Sequence, residues 1–143
     1  MIAKILLLTL LIGAFCVDAV IFNCEFGTFG WVVIGSSYTC VTNSELTRDN
    51  SVLEEVRGIH MSGKTNTDVA ALYFTGATIT KIPKGIEDFF PNLTLMEFYN
   101  QDLTVVSAED LRPFSRLRLL SFNGNRIKII ESDLFKYTTE LEY

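Results

Sequence analysis

The sequence predicts an α/β fold in which short parallel strands stack as a solenoid behind an N-terminal β-hairpin cap. Two observations predict it: apolar residues recur at a fixed spacing from Val69 to Leu141, and a segment with two cysteines precedes them. The chain has 143 residues, of which 48% are hydrophobic, so it can form the core of one domain. Its net charge of −5 gives no reason to expect nucleic acid or an anionic membrane as a partner.

The fixed spacing divides the second half of the chain into three units of 24 residues: unit 1 (69–92), unit 2 (93–116) and unit 3 (117–140). The first, fourth, sixth, eleventh and fourteenth positions of every unit are apolar. They are Val69, Leu72, Phe74, Ile79 and Ile82, then Leu93, Met96, Phe98, Leu103 and Val106, then Leu117, Leu120, Phe122, Ile127 and Ile130. This is the leucine-rich repeat signature. It predicts parallel strands on a concave face and irregular or 3-10 arcs on the convex face, with a fourth repeat beginning at Leu141.

Residues 1–19 are predicted to be a secretory signal peptide. Lys4 provides a positive charge, residues 5–15 form an apolar run, and Ala19 precedes the expected cleavage site. A retained membrane anchor is the alternative. A membrane helix requires an uncharged run of roughly 18 or more residues, and Asp18 ends the run before it reaches that length. We therefore expect a secreted, extracellular protein with no membrane span once the signal is removed.

Residues 20–55 are predicted to be a disulfide-bonded cap. Cys16 would leave with the signal peptide, so Cys24 and Cys40 remain as a single pair. Their bridge would contribute about 3 kcal/mol to stability in the chain-entropy description. A metal site is the alternative, but two cysteines without a neighbouring histidine make a poor one.

The cap is expected to be an antiparallel hairpin. Residues 20–26, 31–34 and 38–41 are β-prone, and the glycine-containing segment 27–30 is expected to form a turn. A stack of repeats exposes an apolar face at its first strand, and that face must be covered. The aromatic residues expected to cover it are Phe22, Phe26, Phe29 and Trp31.

The repeats are predicted to occupy residues 56–143. A degenerate first strand is expected at 56–61, where apolar residues have the same relative spacing, but its direction is left open. The only histidine, His60, is expected to be a surface or packed residue rather than a ligand. Asn125 at the ninth position of unit 3 is expected to satisfy backbone groups of a tight turn, whereas Ala77 and Gln101 leave that ladder incomplete.

Several short motifs resemble those of small secreted extracellular leucine-rich repeat proteins of the insect type with a cysteine–aromatic cap. They are Phe22-x-Cys24-x-Phe26, Tyr38-x-Cys40, Ile82-Pro83-x-Gly85-Ile86 and Phe89-Phe90-Pro91-Asn92-Leu93. The resemblance covers residues 20–143 and implies a curved solenoid used for protein recognition rather than catalysis. The chain departs from that pattern in having three full repeats and no cysteine-bearing C-terminal cap.

The exposed side of the predicted strands is the expected binding surface for an unidentified extracellular protein. The third, fifth, seventh and eighth positions of each unit should lie there, which includes Ala71 and Leu95. A polar and aromatic patch suits protein recognition because tyrosine is rigid and large and carries a hydroxyl group. The residues of that patch are Tyr73, Glu97, Tyr99, Ser121 and Asn123.

Asn92 begins the sequon Asn-Leu-Thr, so it is predicted to carry an N-linked glycan if the protein is secreted. The basic residues between Arg112 and Lys128 could form an anion site, but the interspersed acidic residues favour a solvated outer face.

No enzymatic function is expected, because the sequence has one histidine, no nucleophile motif and no phosphate-binding loop. No cofactor and no metal ion are expected either. The predicted function is therefore a secreted protein-binding module. The alternatives are a structural or assembly protein that forms a homodimer through an uncapped C-terminal edge, and a fragment of a longer leucine-rich repeat receptor or matrix protein.

Overall fold

The computed structural model describes residues 18–43, 51–76 and 79–143. They form one sheet of six strands in the order β3-β1-β2-β4-β5-β6. The strands are β1 (Asp18–Trp31), β2 (Gly35–Thr42), β3 (Ser51–Arg57), β4 (Ala71–Phe74), β5 (Leu95–Phe98) and β6 (Leu119–Ser121). β1 and β2 are antiparallel, and the other neighbouring strands are parallel.

Two four-residue helices accompany the sheet, α1 (Ile86–Phe89) and α2 (Ala108–Leu111), together with a 3-10 turn at Asn66–Asp68. α2 begins after Ser107, whose backbone N–H donates to the Asp110 carboxylate at 2.8 Å. This reciprocal capping satisfies donors that a short helix cannot satisfy internally. Among the described residues, none of the helices has the length and apolarity that a membrane crossing needs.

The predicted leucine-rich repeat solenoid is wrong as a description of this fold. The structure is a mixed α/β sheet in which three of the six strands, β1, β2 and β3, come from outside the periodic stretch. The hairpin is not a separate cap, because β2 pairs directly with β4 through residues 39–42. A sequence period fixes the offset between strands that repeat it, but it carries no information about which other strands join the sheet.

The 24-residue spacing does set the register of β4, β5 and β6. Leu72 lies opposite Met96, and Met96 lies opposite Leu120. The same hydrogen bond recurs at the first residue of β5 and of β6. The N–H of Leu95 donates to the Ala70 carbonyl, and the N–H of Leu119 donates to the Thr94 carbonyl, both at 3.1 Å.

A column of phenylalanine rings crosses the core on one side of the sheet. Phe74 stacks on Phe98 with ring centroids 4.7 Å apart, and Phe98 stacks on Phe122 at 5.8 Å. Phe22 of β1 extends the column, meeting Phe74 edge-on at 5.4 Å. Phe22 therefore covers the first unit as predicted, and its side chain is fully buried.

The hairpin is longer than predicted. The segment 27–30 is not a turn, because it remains in β1 and pairs with residues 36–39 of β2. The chain reverses at residues 32–34, before Gly35, which has a φ of +77°. Glycine suggested a turn at 27–30, but the cross-strand pairing holds those residues extended.

The Cys24–Cys40 disulfide is confirmed, with the two Cα atoms 5.1 Å apart. It joins β1 to β2 near the point where β2 enters the parallel part of the sheet. Residues 1–17, most of the predicted signal peptide, lie outside the described residues. The expected cleavage after Ala19 falls inside β1, where Ala19 pairs with Val52.

The strand predicted at 56–61 is wrong in its position. The strand here is β3, which ends at Arg57 and pairs in parallel with β1, so it runs opposite to β4. The predicted boundary between residues 55 and 56 falls inside it. His60 follows and packs on the Phe26 ring at 3.8 Å, with its ring nitrogens bonded to Tyr38 (2.9 Å) and Asn66 (3.0 Å).

More of the turns have a side-chain amide bonded to their backbone groups than expected, because Gln101 forms the hydrogen bonds that were predicted for an asparagine. Its carboxamide accepts from the Ile79 N–H at 3.4 Å and donates to the Phe74 carbonyl at 3.4 Å. Asn125 makes the corresponding contacts one unit later, with Leu103 at 3.0 Å and Phe98 at 2.6 Å. The additional methylene of glutamine still allows the amide to reach both groups. Ala77 lies outside the described residues.

Candidate functional site

The side of the sheet opposite the phenylalanine column carries a row of polar residues. Tyr73, Glu97 and Ser121 lie directly opposite one another on β4, β5 and β6. Residues paired in this way point to the same side of a sheet, and neighbouring strands lie about 4.8 Å apart. Three of the five residues predicted for the binding patch are therefore adjacent.

The hairpin tip, defined as residues 31–34, lies over this side of the sheet. Trp31 meets the Tyr73 ring edge-on, with centroids 5.9 Å apart and planes at 87°. β2 is paired with β4 only from Thr39 to Thr42, so the outer half of the hairpin is free to bend. Gly27 and Gly30 lie in that outer half, where the lack of a side chain permits a sharp bend.

Two predictions about the sides of the sheet are wrong. Ala71 and Leu95 were expected to be exposed, but both are completely buried and do not belong to the main core cluster. Trp31 was expected to cover the end of the first unit, but it contacts Tyr73 on the opposite side of the sheet. Phe29, also expected to cover that end, is 40% exposed and does not pack against the core cluster.

Between the hairpin tip and the last strands lies a groove of about 420 Å³, which we call the tip groove. Its walls are residues 31–33 of the hairpin, Glu97 of β5, residues 119–123 in and after β6, and Tyr143. Most of these side chains are apolar or aromatic. Glu97 is the one charged residue among them.

Two buried polar atoms at this groove have no hydrogen-bond partner within the part of the chain that the structure describes. They are the indole Nε1 of Trp31 and the hydroxyl Oγ of Ser121. Buried polar groups are normally paired, because an unmade hydrogen bond leaves the cost of desolvation uncompensated. Neither atom has surface exposed to the groove, so a ligand reaches them only after a neighbouring side chain moves.

Burial raises the pKa of Glu97, and no cation or hydrogen-bond donor of the described residues offsets that effect. Burial also raises the pKa of Tyr73, with smaller contributions from the charges of Glu97 and Tyr99. Desolvation disfavours the charged form of each group. The carboxylate of Glu97 is therefore a partly desolvated negative charge that has no counter-ion among the residues that the structure describes.

The structure separates the predicted patch into two parts. Glu97, Ser121 and Asn123 line the tip groove, and Tyr73 supports its wall through Trp31. Tyr99 lies in the turn after β5, outside the groove lining, and is 47% exposed.

Sequence reasoning missed Trp31 and Tyr143 as wall residues. The number of residues between the cysteines could have indicated a hairpin long enough to reach the sheet, but not the direction in which it bends.

Asn92, the predicted glycosylation residue, is exposed. Its amide Nδ2 donates to the Thr67 carbonyl at 2.8 Å, and its Oδ1 accepts from Arg116 at 2.9 Å. An amide group has two hydrogens, so this bond can persist while the other hydrogen is replaced by a sugar.

The basic residues after α2 are mostly engaged in pairs with acidic residues. Arg118 contacts Glu142 at 2.6 Å, and Arg126 contacts Asp102 at 2.9 Å. This pairing is typical of a solvated face rather than an anion site. Within the described ranges, no group of three or more His, Cys, Asp or Glu side chains is placed to hold a metal ion.

No protein-family model matches the chain, and no curated protein shows significant similarity to it. The function must therefore be inferred from the chemistry of its own residues.

Proposed function

We propose that the protein is a secreted, non-enzymatic module that binds a partner protein at the tip groove and the exposed turn beside it. The observation that carries the proposal is the groove itself. Apolar walls with a few convergent polar groups are the usual composition of binding sites. Glu97 and Asn123 line the groove and provide those polar groups here.

Tyr99 extends this surface beyond the groove. Its side chain is 47% exposed, and tyrosine is enriched in protein interfaces. A Tyr99→Ala variant should weaken partner binding and leave the melting temperature nearly unchanged. Full stability together with unchanged binding would show that Tyr99 is not part of the interface.

The partner can be captured by photo-crosslinking. A benzophenone amino acid placed at Tyr99 should trap a specific protein from extracellular fluid, and excess wild-type protein should prevent the reaction. The same amino acid at Ser62, which is exposed and does not line the groove, is the matched control. Equal capture from both positions, or capture that the wild-type protein does not compete, would contradict the proposal.

Secretion is supported by three features: the composition of residues 1–19, the Cys24–Cys40 disulfide and the accessible sequon at Asn92. Disulfides persist in oxidising compartments such as the secretory pathway. Expression of the full chain in cultured animal cells should release a protein that begins at Val20 and loses mass on glycosidase treatment. Replacement of Asn92 by Gln should remove that loss of mass.

Assembly of identical chains is a second candidate function, favoured by apolar residues exposed in unit 3. Ile129, Ile130 and Phe135 are 76%, 60% and 44% exposed. Exposed apolar clusters often mark interaction surfaces. Sedimentation analysis over a wide concentration range should then show a dimer that an Ile130→Lys variant abolishes. A monomer at every concentration would exclude this candidate.

A further inference from the structure

We infer that the tip groove binds the cationic side chain of a lysine or arginine carried on an extended segment of the partner protein. This inference rests on the proposed function and specifies the chemistry of the partner.

The charge distribution of the groove favours a cation. Glu97 is the one charged residue of the lining, and no described residue pairs with it. A partly buried carboxylate without a partner is costly, and a bound cation offsets that cost with a charge-assisted hydrogen bond. An anionic segment would instead be repelled.

The walls suit the rest of such a side chain. Lysine and arginine carry long aliphatic stems, which pack on apolar surface while the charged end reaches a polar partner. Val32, Val33 and Leu119 supply apolar surface in the groove. Trp31 and Tyr143 supply aromatic rings, whose faces attract cations.

The unpaired polar atoms favour a peptide segment over a small amine. The indole Nε1 of Trp31 can only donate, so it needs an acceptor, which an ammonium group does not have. The backbone of an extended segment carries both carbonyl and N–H groups, so it can pair with the Trp31 indole and with Ser121 Oγ when a wall side chain moves to expose them. A metal ion fits less well, because one carboxylate cannot supply the six or more oxygen ligands of Ca²⁺.

The test is a nuclear magnetic resonance titration of the full chain observed at the indole N–H of Trp31. This signal is unambiguous because the sequence has one tryptophan. The probes are a blocked pentapeptide with a central lysine among alanine and glycine, the same peptide with norleucine in place of lysine, and n-butylammonium. The lysine peptide should shift the signal saturably, and the norleucine peptide should bind about tenfold more weakly.

Two variants with the same change in net charge provide the control. Glu97→Gln should lose the preference for lysine, whereas Glu54→Gln, which changes an exposed residue of β3, should keep it. The backbone spectrum of each variant verifies that it is folded.

The outcomes separate this inference from the proposed function. Equal affinity for the lysine and norleucine peptides, or no saturable shift with any probe, overturns the cationic partner. Butylammonium binding as tightly as the lysine peptide overturns the peptide segment in favour of a small amine. The crosslinking at Tyr99 tests protein binding separately, so it can succeed when the cationic inference fails.

Discussion

Units 2 and 3 have the same apolar pattern but differ in burial. In unit 2, Met96, Phe98 and Leu103 are fully buried, and Val106 is almost so. The equivalent residues of unit 3, Leu120, Phe122 and Ile127, are half-buried, and Ile130 is 60% exposed. β5 has a neighbouring strand on both sides. Among the described residues, β6 pairs with β5 on one side, and on the other side residues 118 and 120 bond to residues 142 and 143.

This difference shows that a periodic pattern specifies which side of a strand faces the core, but not how deeply each residue is buried. Burial depends on the neighbours that the fold supplies on both sides. Unit 2 should therefore contribute more stability, while unit 3 provides a wall of the tip groove through residues 119–123.

The largest effect should come from truncating the stacked phenylalanines. Phe98 lies between Phe74 and Phe122, so Phe98→Ala should lower the free energy of unfolding by about 4 kcal/mol. Phe122→Ala should cost about 1–2 kcal/mol, because that ring is already partly solvated. Urea denaturation of both variants measures the difference. Equal losses would mean that the two units are packed alike.

A smaller loss of stability should follow from removing the side-chain amides that bond to backbone groups in the turns. Gln101→Ala should cost about 2–3 kcal/mol, since the Ile79 N–H and Phe74 carbonyl are left buried without partners. Asn125→Ala should cost about 1 kcal/mol, because water can reach the partly buried groups that it leaves. The hydrogen bonds of Asn125 are shorter than those of Gln101. If Asn125→Ala cost more stability than Gln101→Ala, bond geometry would outweigh burial.

The smallest effect should be a pH-dependent change in stability caused by Glu97, whose equivalent in unit 3 is Ser121. Burial raises the pKa of Glu97 above the ordinary value of 4.5, so the folded chain keeps this proton to a higher pH than the unfolded chain. The contribution of this group to stability therefore falls as the pH rises from 4.5 through the folded pKa.

Glu97→Gln should consequently be more stable than the wild type near neutral pH by about a few tenths of a kcal/mol, allowing for solvent screening. The two proteins should be equally stable at a pH well below 4.5, where the carboxyl group is protonated in both states. Denaturant titrations at the two pH values measure this difference. A less stable variant at neutral pH would mean that the Glu97 carboxylate has a favourable partner.

The sequence predicted the parts of the structure that depend on local pattern. The offset between β4 and β5, the inward side of Phe74 and Phe98, and the Cys24–Cys40 bridge are all observed. Each follows from spacing or from a unique pairing.

The parts that depend on long-range pairing were not predictable. Nothing local shows that β3 pairs with β1, or that β2 continues the sheet into β4. The binding patch was predicted as an open surface because the hairpin was expected at the end of the stack. Its tip instead reaches Tyr73, which depends on how the long hairpin bends.

The hairpin tip lies over the polar side of the sheet and thereby forms the groove. The most direct test is a nuclear Overhauser measurement between the indole protons of Trp31 and the ring protons of Tyr73. With ring centroids 5.9 Å apart, we expect clear cross-peaks between the two side chains. The absence of these cross-peaks, with both rings assigned and the rest of the sheet intact, would contradict this placement of the hairpin tip.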